Sequence, residues 1–153
     1  MNHQPNLIAI LEGGPADDAL AESLAREGLP VLRFSSLEAL SRSDRLSSIA
    51  VLVFRIGRVR FGSLLIALSR LSLEYPGLRE LAIVEGGLSV TLAAYLSSCS
   101  VDFLETYLDA SGVERVVRSV RRILEPRIWC FAPTQEFTWR LASKEMENAN
   151  STH

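Results

Sequence analysis

Ile49-Ala50-Val51-Leu52-Val53-Phe54-Arg55-Ile56-Gly57 decides how this chain is read. From Ile49 to Phe54 the residues are all apolar and rich in β-branched types. A run too short for a helix and apolar on both alternating sides predicts a strand covered on both faces. Arg55 follows at once, and Arg58 and Arg60 lie in the Gly-containing loop beyond it. In an open α/β sheet the functional crevice lies outside the carboxyl ends of the strands. The central strand is therefore expected to deliver an arginine to that crevice, in place of an acid or a nucleophile.

Working outward, the flanking segments alternate. Leu7 to Leu11 reads as a buried strand, and Glu12-Gly13-Gly14 as a turn. Pro15 suits the first position of a helix, and Asp17 and Asp18 suit its positive end. Ala16, Ala19, Leu20 and Leu24 are expected on the inner face of that helix, with Gly28 ending it. Pro30 to Phe34 predicts an edge strand because it opens with proline. Ser35 or Ser36 can cap a short helix from Leu37, and Ser41 to Ser48 reads as weakly structured. After the central strand a helix is expected over 62–75, with Leu64, Leu65, Leu68 and Leu71 inward. Leu81 to Val84 is the fourth strand, Glu85-Gly86-Gly87 a turn, Leu88 to Cys99 a helix and Val101 to Leu104 the fifth strand. The last helix opens at Asp109 or Ser111. It should bury Val113, Val116, Val117, Val120 and Leu124 and expose Glu114, Arg115, Arg118, Arg121 and Arg122. Five strand–helix units in alternation predict an α/β fold, a parallel sheet with helices on both faces.

Composition agrees with one ordered domain. The chain has 153 residues, 48% hydrophobic and 22% charged, with a net charge of −2. A slightly acidic balance gives no general attraction to nucleic acid or to an anionic membrane. No run approaches the ~18 apolar residues of a membrane span, and Met1 to Asn6 has no signal-peptide pattern. Cys99 and Cys130 form neither a disulfide framework nor a metal-ligand spacing, so a reduced cytoplasmic setting is expected. A single Cys99–Cys130 bridge is the lesser alternative. After Pro126 the alternation gives way to a tail with Trp129, Phe131, Phe137 and Trp139. The domain reading is thus 1–126 for the α/β unit and 127–153 for a C-terminal docking extension.

From Leu7 to Leu124 the sequence resembles the receiver domain of bacterial two-component response regulators. The resemblance rests on the Leu11–Pro15 turn into a helix, on Val101-Asp102-Phe103-Leu104 before the last helix, and on the five-unit spacing. It implies a flavodoxin-like five-stranded sheet of order 2-1-3-4-5. It also implies phosphoryl transfer to an aspartate ending the third strand, with Mg²⁺ held by acids from the first. The departures are extensive. The acid pair falls on Glu12 and Gly13, the acceptor on Arg55, the hydroxyl residue on Glu85, the lysine on Thr106 and the following proline on Tyr107. Arginine cannot accept phosphate from phosphohistidine, and its fixed positive charge opposes Mg²⁺. The resemblance is therefore to a degenerate, or pseudo-, receiver with no cofactor, no metal and no enzymatic activity.

The candidate sites follow. Arg55 is expected to bridge Glu12 and Glu85 at the rim by charge-assisted hydrogen bonds, against the alternative of an arginine extended into solvent. Arg55, Arg58 and Arg60 could instead hold a small anionic ligand. Gly13-Gly14 and Gly86-Gly87 read as tight turns, since neither fits a phosphate-binding fingerprint. His3 and His153 lie near the termini, and no serine has a partner that would make it a nucleophile. From Gly86 through Val101 there is no charged residue, although an outer helix of an α/β sheet normally carries charge. That face, with Leu88, Val90, Thr91, Ala94 and Tyr95, is expected to meet a protein partner, a second copy or the chain's own tail. Tyr107, Arg115, Arg118 and Arg122 would extend the interface, and Trp129, Phe137 and Trp139 would dock on it. The resemblance implies the same output face, 88–124, including a homodimer across it. DNA reading is not expected, because no helix-turn-helix follows.

Overall fold

A computed structural model describes residues 7–11, 16–56 and 62–125. The elements run β1 (Leu7–Leu11), α1 (Ala16–Arg26), β2 (Val31–Phe34), α2 (Leu37–Ser41), β3 (Ile49–Ile56), α3 (Gly62–Glu74), β4 (Arg79–Val84), α4 (Val90–Ser98), β5 (Asp102–Glu105) and α5 (Ala110–Leu124). All strand pairings are parallel, and the sheet order is β2-β1-β3-β4-β5. The parallel sheet is as the alternation predicts, and its order is the flavodoxin-like one that the resemblance to receiver domains implies.

The central strand is buried on both faces, as its apolar run requires. On one face Val51 and Val53 join Ile8, Ile10 and Ile83 under α1 and α5. On the other, Leu52 and Phe54 join Ala9, Ala82 and Val84 under α2, α3 and α4. One irregularity sets this phase. Leu7 pairs with Ile49 but Ile8 pairs with Val51, so β3 holds an extra residue, Ala50. Such a bulge resets which side chains face which layer. From Val51 onward the odd positions face α1 and α5, and Arg55 is an odd position.

Helix ends follow the capping rules. Ser36, Ser89 and Asp109 accept hydrogen bonds from the backbone N–H three residues on, opening α2, α4 and α5. In α5 the valines at 113, 116, 117 and 120 are buried. Each contributes roughly 1.5–3 kcal/mol relative to exposure.

Several expectations need correction. β3 continues two residues past the apolar run, to Ile56, so that Arg55 lies within the strand. β4 starts at Arg79, because Arg79 and Glu80 continue the ladder with Val51 and Leu52 and find their own polar partners. The second strand starts at Val31; Pro30 has no N–H for the ladder, although its carbonyl accepts from Ile8 N at 2.9 Å. The stretch 41–48 is not uniformly loose: Leu46 opens a 3₁₀ turn and is buried. Ala19 is exposed. The inward stripe of α1 is Asp17, Leu20 and Leu24, and Ala19 falls one position off it. α4 begins at Val90, because Ser89 is its cap, and Leu124 is only half-buried where α5 ends.

Candidate functional site

The C-terminal rim of the sheet is built around Arg55. It is the penultimate residue of β3, directed toward the α1 side by the phase set at Ala50. Glu85 follows the last residue of β4 in the same phase as Leu81 and Ile83. Asp17 lies in the first turn of α1 on the buried stripe. The guanidinium donates to both acids, from Nη1 to Glu85 Oε1 at 3.3 Å and from Nη2 to Asp17 Oδ2 at 3.3 Å. Asp17 is 1% exposed, the Arg55 side chain 18% and the Glu85 side chain 28%. These lengths exceed the 2.7–2.9 Å of an optimal charge-assisted bond. The cluster is thus held by burial and charge more than by ideal hydrogen-bond geometry. Among the described residues, Arg55 Nε has no hydrogen-bond partner.

One carboxylate of the cluster, Glu85, was singled out in the sequence. The other, Asp17, was not: it reads as a residue favouring the helix N-terminus. The signal was its position three residues before Leu20 and seven before Leu24, on the inward stripe. Glu12, Gly13, Arg58 and Arg60 lie outside the described residues. Thr106 is half-buried, and its hydroxyl donates to the Tyr107 carbonyl at 3.2 Å. Gly86 and Gly87 have φ of 85° and 113°, the left-handed region that requires glycine, so the turn reading holds there. Among the described residues no group of three or more His, Cys, Asp and Glu could hold a metal ion.

The second candidate is the edge of the sheet where α4 and α5 flank β5. Leu92 and Leu96 are buried, leaving an outward face of Val90, Thr91, Ala94 and Tyr95. Val90 is 87% exposed and Tyr107 64%. Leu88 departs from expectation: it is half-buried against the core and is not part of the outward face. Arg115, Arg118 and Arg122 are exposed, and Arg115 Nη1 donates to the Glu105 carbonyl at 3.3 Å. Trp129, Phe137 and Trp139 lie outside the described residues, as does Cys130, the partner of the alternative disulfide; Cys99 is a free thiol. No helix among the described residues is long and apolar enough to cross a membrane.

One buried acid has no counterpart in the sequence reading. Glu80 is 3% exposed beneath α3, where Ser72 Oγ donates to its Oε1 at 2.7 Å. Burial raises its pKa above the usual carboxylate value, and the Ser72 hydrogen bond only partly opposes that.

No protein-family model matches the chain, and no curated protein matches it significantly. Solved structures do. A CheY-like protein (tadZ) from Pseudomonas aeruginosa is 26% identical, with a TM-score of 0.61, covering 79% of this chain and 99% of the other. A protein assigned to pilus assembly (cpaE) from Burkholderia thailandensis is 20% identical, with a TM-score of 0.63, covering 77% and 96%. HP1043, an orphan response regulator of H. pylori, is 11% identical, with a TM-score of 0.63, covering 80% and 100%. The two lower identities speak for the fold alone. Together the neighbours are receiver domains and receiver-like proteins of response-regulator type.

Proposed function

We propose that this CheY-like receiver domain is a phosphorylation-independent protein-interaction module in bacterial signal transduction or transcriptional control. The observation that carries the reading is the placement of Arg55. Its guanidinium stands at the end of the central strand between Asp17 and Glu85, 3.3 Å from each. A divalent cation needs a set of free oxygen ligands, and here a permanent cation already occupies the two carboxylates. The described residues at the rim therefore do not fit Mg²⁺. Arginine also offers no oxygen on which an acyl phosphate could form. What a phosphorylation cycle would switch is instead held by a fixed ion cluster.

With the rim closed in this way, output rests on surface. The uncharged face of α4, with Tyr107 and the arginines of α5, supports docking of another protein. A second copy could use the same face. Residues 127–153, with their aromatic side chains, are proposed to act as a docking tail. Pilus assembly, to which two structural neighbours are assigned, joins transcriptional control among the settings for such a module. The competing reading, a sensor of a small anion held by Arg55, Arg58 and Arg60, draws less support. Arg55 is already engaged by two carboxylates that would repel an anion.

The test is incubation with acetyl phosphate and Mg²⁺ followed by intact mass measurement. The expected result is no added phosphate. Arg55→Asp alone is expected to leave the mass unchanged as well, since Gly13 and Thr106 still differ from the phosphorylation set. A stoichiometric adduct on a rim carboxylate of the unaltered protein would overturn the reading.

A further inference from the structure

α3 is apolar on its outward side as well as on its inward one. Among its 13 residues only Arg70 and Glu74 are charged. Leu68 and Leu71 are buried against the sheet, yet Ile66 is 54% and Leu73 83% exposed. Seven residues apart, these two lie about two turns apart on one stripe. A helix on the outside of an α/β sheet normally carries polar side chains there. Beside the stripe a cavity of about 360 Å³ opens between α2 and α3. Its apolar lining is Leu37, Ala67 and Leu71, and its charged lining Glu38, Arg70 and Glu74. Arg70 joins the two features, because it lines the cavity and neighbours Ile66 and Leu73 at helical spacings of four and three.

Residues 126–153 supply a matching occupant. They hold both tryptophans of the chain, Trp129 and Trp139, together with Phe131 and Phe137. A segment of that length is below the ~40 residues that sustain a core unaided. Its rings therefore need a surface outside the segment. α5 delivers it close to α3. Ile123 and Arg79 line one cavity, and Arg79 opens β4 soon after Glu74 ends α3. The last turn of α5 and the end of α3 thus meet the same edge of the sheet. From Glu125 to Phe137 the chain can span up to ~40 Å, against a radius of gyration of roughly 13 Å for such a domain. That reach covers the passage under the edge.

Two other placements have less in their favour. A second copy laid along α3 would contact a helix only ~20 Å long and ~10 Å wide. That falls well short of the ~800 Å² per partner of a stable complex. A tethered segment needs no such area, because its effective concentration is of mM order. The edge formed by α4, β5 and α5 is the other apolar surface, with Val90, Tyr95 and Tyr107 exposed. Arg79 and Asp102 pair with each other there, which sets Arg115, Arg118 and Arg122 against Glu105 and Glu125. One guanidinium is in excess. The groove sets Glu38 and Glu74 against Arg70, and Glu38 also pairs with Arg42 at 2.7 Å, so it has no positive excess. Between Glu136 and Glu145 the tail carries Arg140 and Lys144 and no acid. Like charge opposes that stretch at the α4 edge and does not at the groove. We propose that residues 126–153 fold back and seat their aromatic side chains in the α2–α3 groove of the same chain, along Ile66 and Leu73. The α4 edge then stays open to another protein. This extends the docking-tail reading given above and rests on it.

Because both tryptophans lie in the tail, the intrinsic fluorescence of the full chain reports on docking alone. A synthetic peptide of residues 126–153 serves as the exposed reference. The expected emission of the unaltered protein lies to the blue of the peptide and does not change on dilution. Ile66→Lys and Leu73→Lys should each move it to the red, and the double variant should reach the peptide. Both positions are exposed, so the fold should be kept, which far-UV circular dichroism checks. Val90→Lys, exposed on α4, should leave the emission unchanged. In a Cys99→Ser background Cys130 is the remaining thiol. A spin label there should broaden the amides of Ala67, Arg70 and Leu73 ahead of those of Val90 and Ala94. Peptide-like emission from the unaltered protein would overturn the inference together with the docking-tail reading. A blue emission indifferent to Ile66→Lys and Leu73→Lys, or moved by Val90→Lys, removes the groove and leaves that reading standing. Emission that reddens on dilution would make a second copy the occupant and overturn the inference as well.

Discussion

Arg55→Ala removes a cation shared by Asp17 and Glu85. The two acids lose unequally. Glu85 keeps solvent access, with 28% of its side chain exposed, so its loss is screened. Asp17 is 1% exposed and cannot recover its ion pair from water. Removing one partner of a buried pair costs roughly 3–5 kcal/mol. Two features put this case at the low end. The contacts are long, at 3.3 Å each, and Asp17 has a further interaction besides Arg55. The expected loss is therefore about 3 kcal/mol. At roughly 2–4 °C per kcal/mol for a domain of this size, the melting temperature should fall by roughly 6–12 °C.

Urea unfolding measures the loss, and a double-mutant cycle tests its cause. Arg55→Met keeps the aliphatic packing and removes the charge. Asp17→Asn removes the opposing charge at nearly constant shape. If buried charge is the issue, the double variant should recover much of what Arg55→Met loses, because a neutral pair carries no uncompensated carboxylate. The coupling should be about 1–2 kcal/mol, within the range for residues in direct contact. A loss under ~0.5 kcal/mol for Arg55→Ala, the level of an ordinary surface change, would refute the reasoning. So would single losses that simply add in the double variant.

Glu80→Gln should stabilise the fold at neutral pH. The native pKa of Glu80 is raised above 4.5, so the native state holds the proton more tightly than the unfolded chain. Its contribution is full below 4.5 and is lost as pH rises through the raised value, so the gain from Gln should vanish in acid. Urea midpoints against pH check this, and a lower midpoint for Gln at neutral pH would contradict it. Gly112→Ala should destabilise by roughly 1–3 kcal/mol, because the added methyl overlaps the Tyr107 carbonyl packed against the first turn of α5. A thermal melt unchanged by that substitution would be inconsistent with this packing. Truncation after Pro126 should convert a dimer to a monomer if the tail docks in trans, or promote aggregation if it docks in cis. Light scattering reads both, and unchanged mass, solubility and melting temperature would make the tail a plain linker.

The sequence was most legible where physical constraints were local. Strand and helix order followed from apolar period, because Ile49 to Phe54 and the valines of α5 each fit one template. Helix starts at Ser36 and Asp109 followed from capping chemistry, whereas the cap at Ser89 was missed. Element ends were less legible where tertiary partners decided them. β4 gained Arg79 and Glu80 because Asp102 and Ser72 meet them, and neither partner is adjacent in sequence. The bulge at Ala50 left no signature either, since Ile49 through Phe54 form one continuous apolar run.

Asp17 shows why the candidate site was only half legible. An acid in the first turn of a helix has a sufficient local explanation in the helix dipole, and that explanation hid a second one. Its stripe position becomes informative only when something cationic awaits it below, and that depends on the phase of β3. The bulge at Ala50 turns Arg55 toward α1 and not toward α3. Without it the same guanidinium would face the α2–α4 layer, where Phe54 and Ile56 now pack. One inserted residue at the start of the strand thus determines which carboxylates Arg55 meets at its end. Glu85, which follows β4 in the matching phase, could be anticipated because its strand carries no such shift in its pairing with β3. The ion cluster is accordingly a consequence of sheet register as much as of residue identity. A change that removes the bulge should disperse it even with Asp17, Arg55 and Glu85 intact.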